Sequence, residues 1–161
     1  MPFMKQHASI VLLILLALMA SGCAGSKTRR TRDQKVQAII GTARSYVGTP
    51  YRWGGTSKAG MDCSGLLVTS FKTAGIQLPR TAKEQSKMGK KVDLTQLKPG
   101  DLVFFSRKPR RRKVTHAGLV TKVYGKKDVR FIHASTSQGV IETNMFSDYY
   151  KKRIVRATRP F

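Results

Sequence analysis

The chain has 161 residues, 40% of them hydrophobic, and sets 31 Lys and Arg against 8 Asp and Glu for a net charge of +23. That length fits one domain of ordinary size with enough chain to bury a core. So large a positive surplus excludes basic partners and points to polyanions: nucleic acid, anionic lipid headgroups or an acidic cell-wall polymer.

Residues 1–22 read as an export signal. Lys5 supplies a positive start, Val11 to Met19 an unbroken apolar run, and Ala20-Ser21-Gly22 the small residues of a cleavage site. The run is shorter than the roughly 20 residues of a spanning helix, so cleavage is expected rather than a retained span. Ala20-Ser21-Gly22-Cys23 resembles the bacterial lipobox, although the pattern usually has Leu where Ala20 stands. An ordinary secretory signal with a free Cys23 is the alternative. If the lipobox holds, Cys23 is acylated, anchors the chain to a membrane and cannot pair with Cys63. Export makes nucleic acid a poor partner. Ala24 is not the aspartate associated with inner-membrane retention, so the periplasmic face of the outer membrane is the expected location.

Residues 23–34 are expected to form the lipidated cysteine and a flexible basic tether, because 24–31 lack a periodic apolar face. Thr31 with Gln34 offers a capping box. Val36, Ile39, Ile40, Ala43 and Val47 then recur at helical spacing, up to a stop at Gly48-Thr49-Pro50. The glycine-rich loop 51–61 lacks the Gly-Lys-Ser/Thr ending of a phosphate-binding loop, which argues against nucleotides. Asp62 is a favoured N-cap. It places Cys63 at the first turn of a helix that buries Leu66, Leu67, Phe71 and Ala74 and stops at Gly75. Thr81 and Glu84 open a short third helix. Strands are expected over 101–105, 116–124, 129–133, 139–143 and 154–158. Helices first and a strand meander later predict an α+β domain over residues 35–161, with N-terminal helices packed on an antiparallel sheet of about five strands.

Two cysteines and three histidines limit the possible chemistry. His7 leaves with the signal, so Cys63, His116 and His133 remain. A thiol on a helix N-terminus meets unpaired N–H groups and a partial positive charge, which lower its pKa. Its backbone N–H can also help bind an oxyanion. One thiol and two imidazoles suffice for a cysteine hydrolase. Spacing alone leaves Cys63 open between that role and a buried structural cysteine. Dispersed ligands, with no short Cys-x-x-Cys or His-x₃-His pair, argue against zinc.

Six segments in order carry a resemblance: Pro50-Tyr51-Arg52-Trp53-Gly54-Gly55, Asp62-Cys63-Ser64-Gly65-Leu66, Leu78-Pro79-Arg80-Thr81, Pro99-Gly100-Asp101-Leu102-Val103-Phe104-Phe105, His116-Ala117-Gly118-Leu119-Val120 and Ile132-His133-Ala134-Ser135. Over about residues 35–160 the chain resembles the NlpC/p60 family of cell-wall peptidases, above all its small lipoproteins. The resemblance implies a papain-like α+β fold and cofactor-free cleavage of peptidoglycan stem peptides. The bond would be the one between D-glutamate and the diamino acid or, second in preference, the cross-link between stems. It assigns Cys63 as nucleophile, His116 as general base and acid, and His133 as the residue that orients His116. Tyr51 would line the site and aid oxyanion binding, or else be a packed aromatic. Asp62 and Ser64 would meet the polar end of the substrate peptide, or serve only as cap and first-turn residues. Arg80 and Gln85 are expected in structural hydrogen bonds and Trp53 in the core. The basic run 107–113 is expected to hold carboxylate-rich stems near the cleft. A monomer is expected. The rival readings are a non-catalytic polycationic lipoprotein that binds wall or membrane, and an acyl or amide transferase acting on another substrate.

Overall fold

A computed structural model describes residues 23–161, with side chains from residue 31 onward. The signal over 1–22, His7 and the side chain of Cys23 lie outside the described residues. Two compact units divide the chain, Met1–Gln34 and Lys35–Phe161.

The first element is helix α1, Cys23–Arg44. The expected tether over 24–31 is therefore helical, and the helix does not start at the Thr31 box. No residue between Ser26 and Ile40 is Gly or Pro. Once the apolar turns nucleate, propagation through the basic residues adds one bond per residue. Val36, Ile39, Ile40 and Ala43 form the buried stripe. Val47 does not extend it: the helix has already ended in turns, and Val47 is 55% exposed. Gly48 then takes φ +84°, a left-handed conformation open to glycine.

The glycine loop folds into a minimal hairpin, β1 (Thr56–Ser57) and β2 (Gly60–Met61). It leads into α2, Cys63–Lys72, and then the one-turn α3, Ala82–Gln85. Asp62 caps α2 and Thr81 caps α3 through their side chains, as the sequence suggests.

The remaining strands are β3 (Lys90–Val92), β4 (Leu102–Phe105), β5 (His116–Gly125), β6 (Asp128–Ser135), β7 (Gly139–Asn144) and β8 (Ile154–Arg159). A four-residue helix α4, Asp148–Lys151, precedes β8. All six strands form one antiparallel sheet in the order β3-β8-β4-β5-β6-β7. The expected five become six because β3 pairs with β8. Its Lys90-Lys91-Val92 carries no apolar alternation, so the pairing comes from tertiary context.

Strand β4 is buried along its whole length because the sheet is covered on both faces. Leu102 and Phe104 face a core with Ile39, Ile40, Leu66, Leu67 and Phe71 of the helices. Val103 and Phe105 face a second core with Val120, Phe131, Met145 and Ala157. Alternation along the strand sends neighbouring residues to opposite cores. At the β7 edge, Gly48 N–H donates to Val140 O and Val140 N–H donates to Thr49 O, both at 2.9 Å. The segment leaving α1 thus pairs with the sheet like a short extra strand. Gly139 makes room for it: a Cβ there would collide with the carbonyl of Thr49.

Candidate active site

Cys63 opens α2 as a free, buried thiol, only 8% exposed. Its position is set by Asp62, whose carboxylate accepts five hydrogen bonds. Oδ1 takes the N–H of Gly65 at 2.6 Å, the Ser64 hydroxyl at 2.9 Å and Arg80 Nη1 at 3.0 Å. Oδ2 takes Arg80 Nη2 at 2.6 Å and the N–H of Gly54 at 2.9 Å. Arg80 Nη1 also donates to Ser64 Oγ at 2.8 Å. One buried carboxylate thereby ties the helix cap, the glycine loop and Arg80 together. Burial alone would raise the Asp62 pKa, but Arg80, the Gly65 N–H and Ser64 hold it below the usual carboxylate range. Gly65 permits the arrangement, since a Cβ there would strike the carbonyl of Gly55. The close approach at Gly65 is made by the loop backbone.

Arg80, expected only in structural bonds, thus orients both residues flanking the thiol. Gln85 holds the same region: its Nε2 donates to Ser64 O at 3.1 Å and to Pro79 O at 2.8 Å. Tyr51 is half-buried beside this group. Burial, followed by the negative charges of Cys63 and Asp62, pushes its phenol up.

The histidines come from neighbouring strands. His116 begins β5 and His133 lies near the end of β6, where it is fully buried. His116 Nε2 and His133 Nδ1 are 2.9 Å apart. Gly118 lies between them on the same face of the sheet, and a Cβ there would hit the Phe131 ring. That ring stacks on His133 with centroids 4.6 Å apart and planes at 12°. Ala117, next to His116, is among the backbone groups that favour the Cys63 thiolate. Nε2 of His116 is taken by His133, which leaves Nδ1 as its other ring nitrogen.

The protonation states differ from expectation. Burial pushes the Cys63 thiol up, and the Asp62 carboxylate adds to this. The backbone N–H groups of Ala117, Ser64 and Cys63 itself oppose the rise without cancelling it. The helix end therefore does not ionise the thiol as the sequence reading expected, because desolvation outweighs it. Burial pushes His116 down to about 4. Burial, then the neighbouring His116, pushes His133 down to about 3. Burial thus works against the charged form of the thiol and of both imidazoles.

A cavity of about 690 Å³ opens onto both histidines and is lined also by Trp53, Arg107, Gln138, Tyr149 and Arg153. Cys63 is not among its lining residues. Trp53 is 85% exposed at this cavity and not in the core. Gly54, with φ +75°, turns the chain immediately after it. Arg153 crosses the Tyr149 ring at 3.8 Å. Among the described residues no three His, Cys, Asp or Glu side chains converge in a way that could hold a metal ion. Sequence reasoning missed Tyr150, whose hydroxyl lies 3.1 Å from His133 Nε2. It lies outside the six recognised segments, and nothing in its local pattern marks it.

Known proteins resemble this chain in sequence and fold. The chain is 35% identical over 155 residues to "Probable endopeptidase NlpC" of Escherichia coli K12, covering 92% of this chain and 97% of that one. It is 42% identical over 122 residues to "Murein DD-endopeptidase MepS/Murein LD-carboxypeptidase" of the same organism, covering 75% of this chain and 61% of the relative. A crystal structure of an NlpC/P60 family protein from Bacillus cereus superposes with a TM-score of 0.69 at 32% identity, over 77% of this chain and 39% of that one. The model of the NlpC/P60 family matches residues 48–159, from the segment after α1 to the last residue of β8, and the chain belongs to that family.

Proposed function

We propose that this chain is a lipid-anchored cysteine peptidase that hydrolyses amide bonds in peptidoglycan stem peptides. The observation that carries the reading is the 2.9 Å pair of His116 Nε2 and His133 Nδ1 on adjacent strands, with Ala117 beside His116 among the backbone groups that favour a thiolate at Cys63. Cys63, His116 and His133 are the catalytic residues. With both groups neutral at rest, His116 Nδ1 takes the thiol proton as sulfur attacks the amide carbonyl. The backbone N–H of Cys63 and the Tyr51 hydroxyl stabilise the oxyanion. His116 then gives the proton to the departing amine, leaving a thioester. Water, deprotonated by His116, releases the acid and regenerates the thiol.

Asp62, Ser64 and Tyr51 form one end of the substrate site and meet the polar end of the substrate peptide. Arg107 and Arg153 line the cavity beyond the histidines, and no Asp or Glu does. That end suits the carboxylates of a stem peptide. The names of relatives support both candidate bonds: a Bacillus subtilis gamma-D-glutamyl-L-lysine dipeptidyl-peptidase supports the D-glutamyl bond favoured by sequence reading, and the DD-endopeptidase MepS supports the cross-link between stems. Residues 1–22 as signal, Cys23 as acylated residue and the outer membrane as site complete the proposal. The lipobox supports the anchor, and Ala24 supports the location.

Cys63→Ala and His116→Ala are each expected to abolish release of muropeptides from purified sacculi. Full release by either variant would overturn the assignment of that residue, while no release by the wild type would favour a non-catalytic polycationic wall- or membrane-binding lipoprotein. Mass spectrometry of the new termini identifies the bond cut, and products extended by an acyl acceptor would indicate a transferase.

A further inference from the structure

We propose that Tyr150 is a positioning residue for this site: its hydroxyl oxygen accepts a hydrogen bond from His133 Nε2 and so sets the tautomer of both histidines. The proposal rests on the thiol-peptidase reading above. Tyr150 Oη lies 3.1 Å from His133 Nε2, and His133 Nδ1 lies 2.9 Å from His116 Nε2. The three side chains form one hydrogen-bonded row at the cavity wall, from Tyr150 through His133 to His116.

Each neutral imidazole carries one N–H and one acceptor nitrogen. The row therefore has two self-consistent arrangements. In the first, His116 Nε2–H donates to His133 Nδ1, and His133 Nε2–H donates to Tyr150. His116 Nδ1 then presents a lone pair. In the second, Tyr150 donates to His133 Nε2, His133 Nδ1–H donates to His116 Nε2, and His116 Nδ1 carries the proton. Only the first can accept the proton of Cys63. Burial favours neutral forms of both histidines, which makes the tautomer decisive. The phenol keeps its own proton, since burial pushes its pKa up to about 12. Tyr150 lines the cavity, so a water there can take its O–H while its lone pair serves His133.

The ring is fixed independently of the hydroxyl. It packs edge-on against Phe105, Phe131 and His133, with centroids at 5.3, 5.0 and 5.2 Å. Helix α4 beneath it is held by Arg153, whose Nη1 donates to Tyr149 O at 2.6 Å. Tyr150→Phe keeps this packing and removes one polar atom.

The test is ¹⁵N-imidazole NMR of the free protein, combined with steady-state hydrolysis of a soluble stem-peptide substrate. Wild type is expected to show His133 protonated at Nε2 and bare at Nδ1. Tyr150→Phe is expected to populate both tautomers and to lower kcat roughly 10- to 100-fold, the range typical of hydrogen-bond partners of functional histidines. KM and thermal midpoint should stay close to wild type. Tyr150→Leu, which also removes the ring, should lower the thermal midpoint as well. A wild-type His133 protonated at Nδ1 overturns the proposal without any variant. So does a Tyr150→Phe protein with wild-type tautomers and kcat. If wild type cleaves no stem peptide, the peptidase reading fails, and the NMR spectrum still decides the direction of the bonds.

Discussion

Cys63 shows that two local effects of opposite sign can act on one atom. Three backbone N–H groups stabilise its thiolate, while burial and the Asp62 carboxylate destabilise it more. On the proposed mechanism, proton transfer to His116 then accompanies attack on the substrate. Iodoacetamide labelling of the resting protein is expected to rise only at alkaline pH, above the ordinary thiol range of about 8.5. A labelling plateau already reached near neutrality would show a pre-formed thiolate and contradict this. Slow labelling at neutral pH is thus compatible with an active peptidase, and the Cys63→Ala and His116→Ala variants must separate enzyme from binding module. The identities of Cys63, His116 and His133 were legible because the chain holds so few thiols and imidazoles. Their protonation was not, because desolvation depends on what the fold packs around them. Trp53 illustrates the same limit: an indole in a glycine loop reads as core, yet the turn at Gly54 leaves it at the cavity.

The elements that hold the site are short and depend on close backbone contacts. The cap of α2, the hairpin β1–β2 and the start of α3 meet through Asp62, Gly55 and Arg80. Gly65 is one of the tightest of these points, because the nearest atom a Cβ would strike is the Gly55 carbonyl oxygen rather than a mobile side chain. Gly65→Ala must therefore displace the loop or the helix. We expect a loss of about 1–3 kcal/mol, the cost of breaking buried hydrogen bonds, read as a lower urea midpoint, together with loss of muropeptide release. A variant with wild-type stability and activity would show that the loop relaxes freely. The caps of α2 and α3 were legible as Asp62 and Thr81, each a short polar residue before an apolar turn. Strand β3 was not, since its lysines carry no β pattern and its partner lies about 65 residues later in the chain, beyond the reach of local periodicity. Helix α1 was read too short at its start because apolar periodicity detects packing, not helix, and its basic N-terminal part has no apolar stripe.

At the scale of the molecule, a net +23 must be accommodated by a fold with few acids. Three of the acids hold arginines from distant parts of the chain. Asp62 holds Arg80, Glu142 holds Arg44 at 3.0 Å, and Asp101 holds Arg159 at 2.8 Å. The run 107–113 between β4 and β5 is exposed, and Arg107 reaches the cavity. If these cations hold the stem carboxylates, replacing Arg107, Arg110, Arg111 and Arg112 with Gln should weaken sacculus binding. The difference from wild type should shrink as salt screens it, with a Debye length of about 10 Å at 0.1 M. Superimposable binding curves at low salt would remove the loop from substrate capture. The pairing of Gly48 and Thr49 with Val140 bears on assembly. An unpaired outer strand is a template on which another extended chain can zip by backbone bonds alone. Here the protein's own chain already occupies that rung of β7, so neither a second copy nor a peptide can add to the sheet at Val140 without first peeling away the segment that leads to Tyr51.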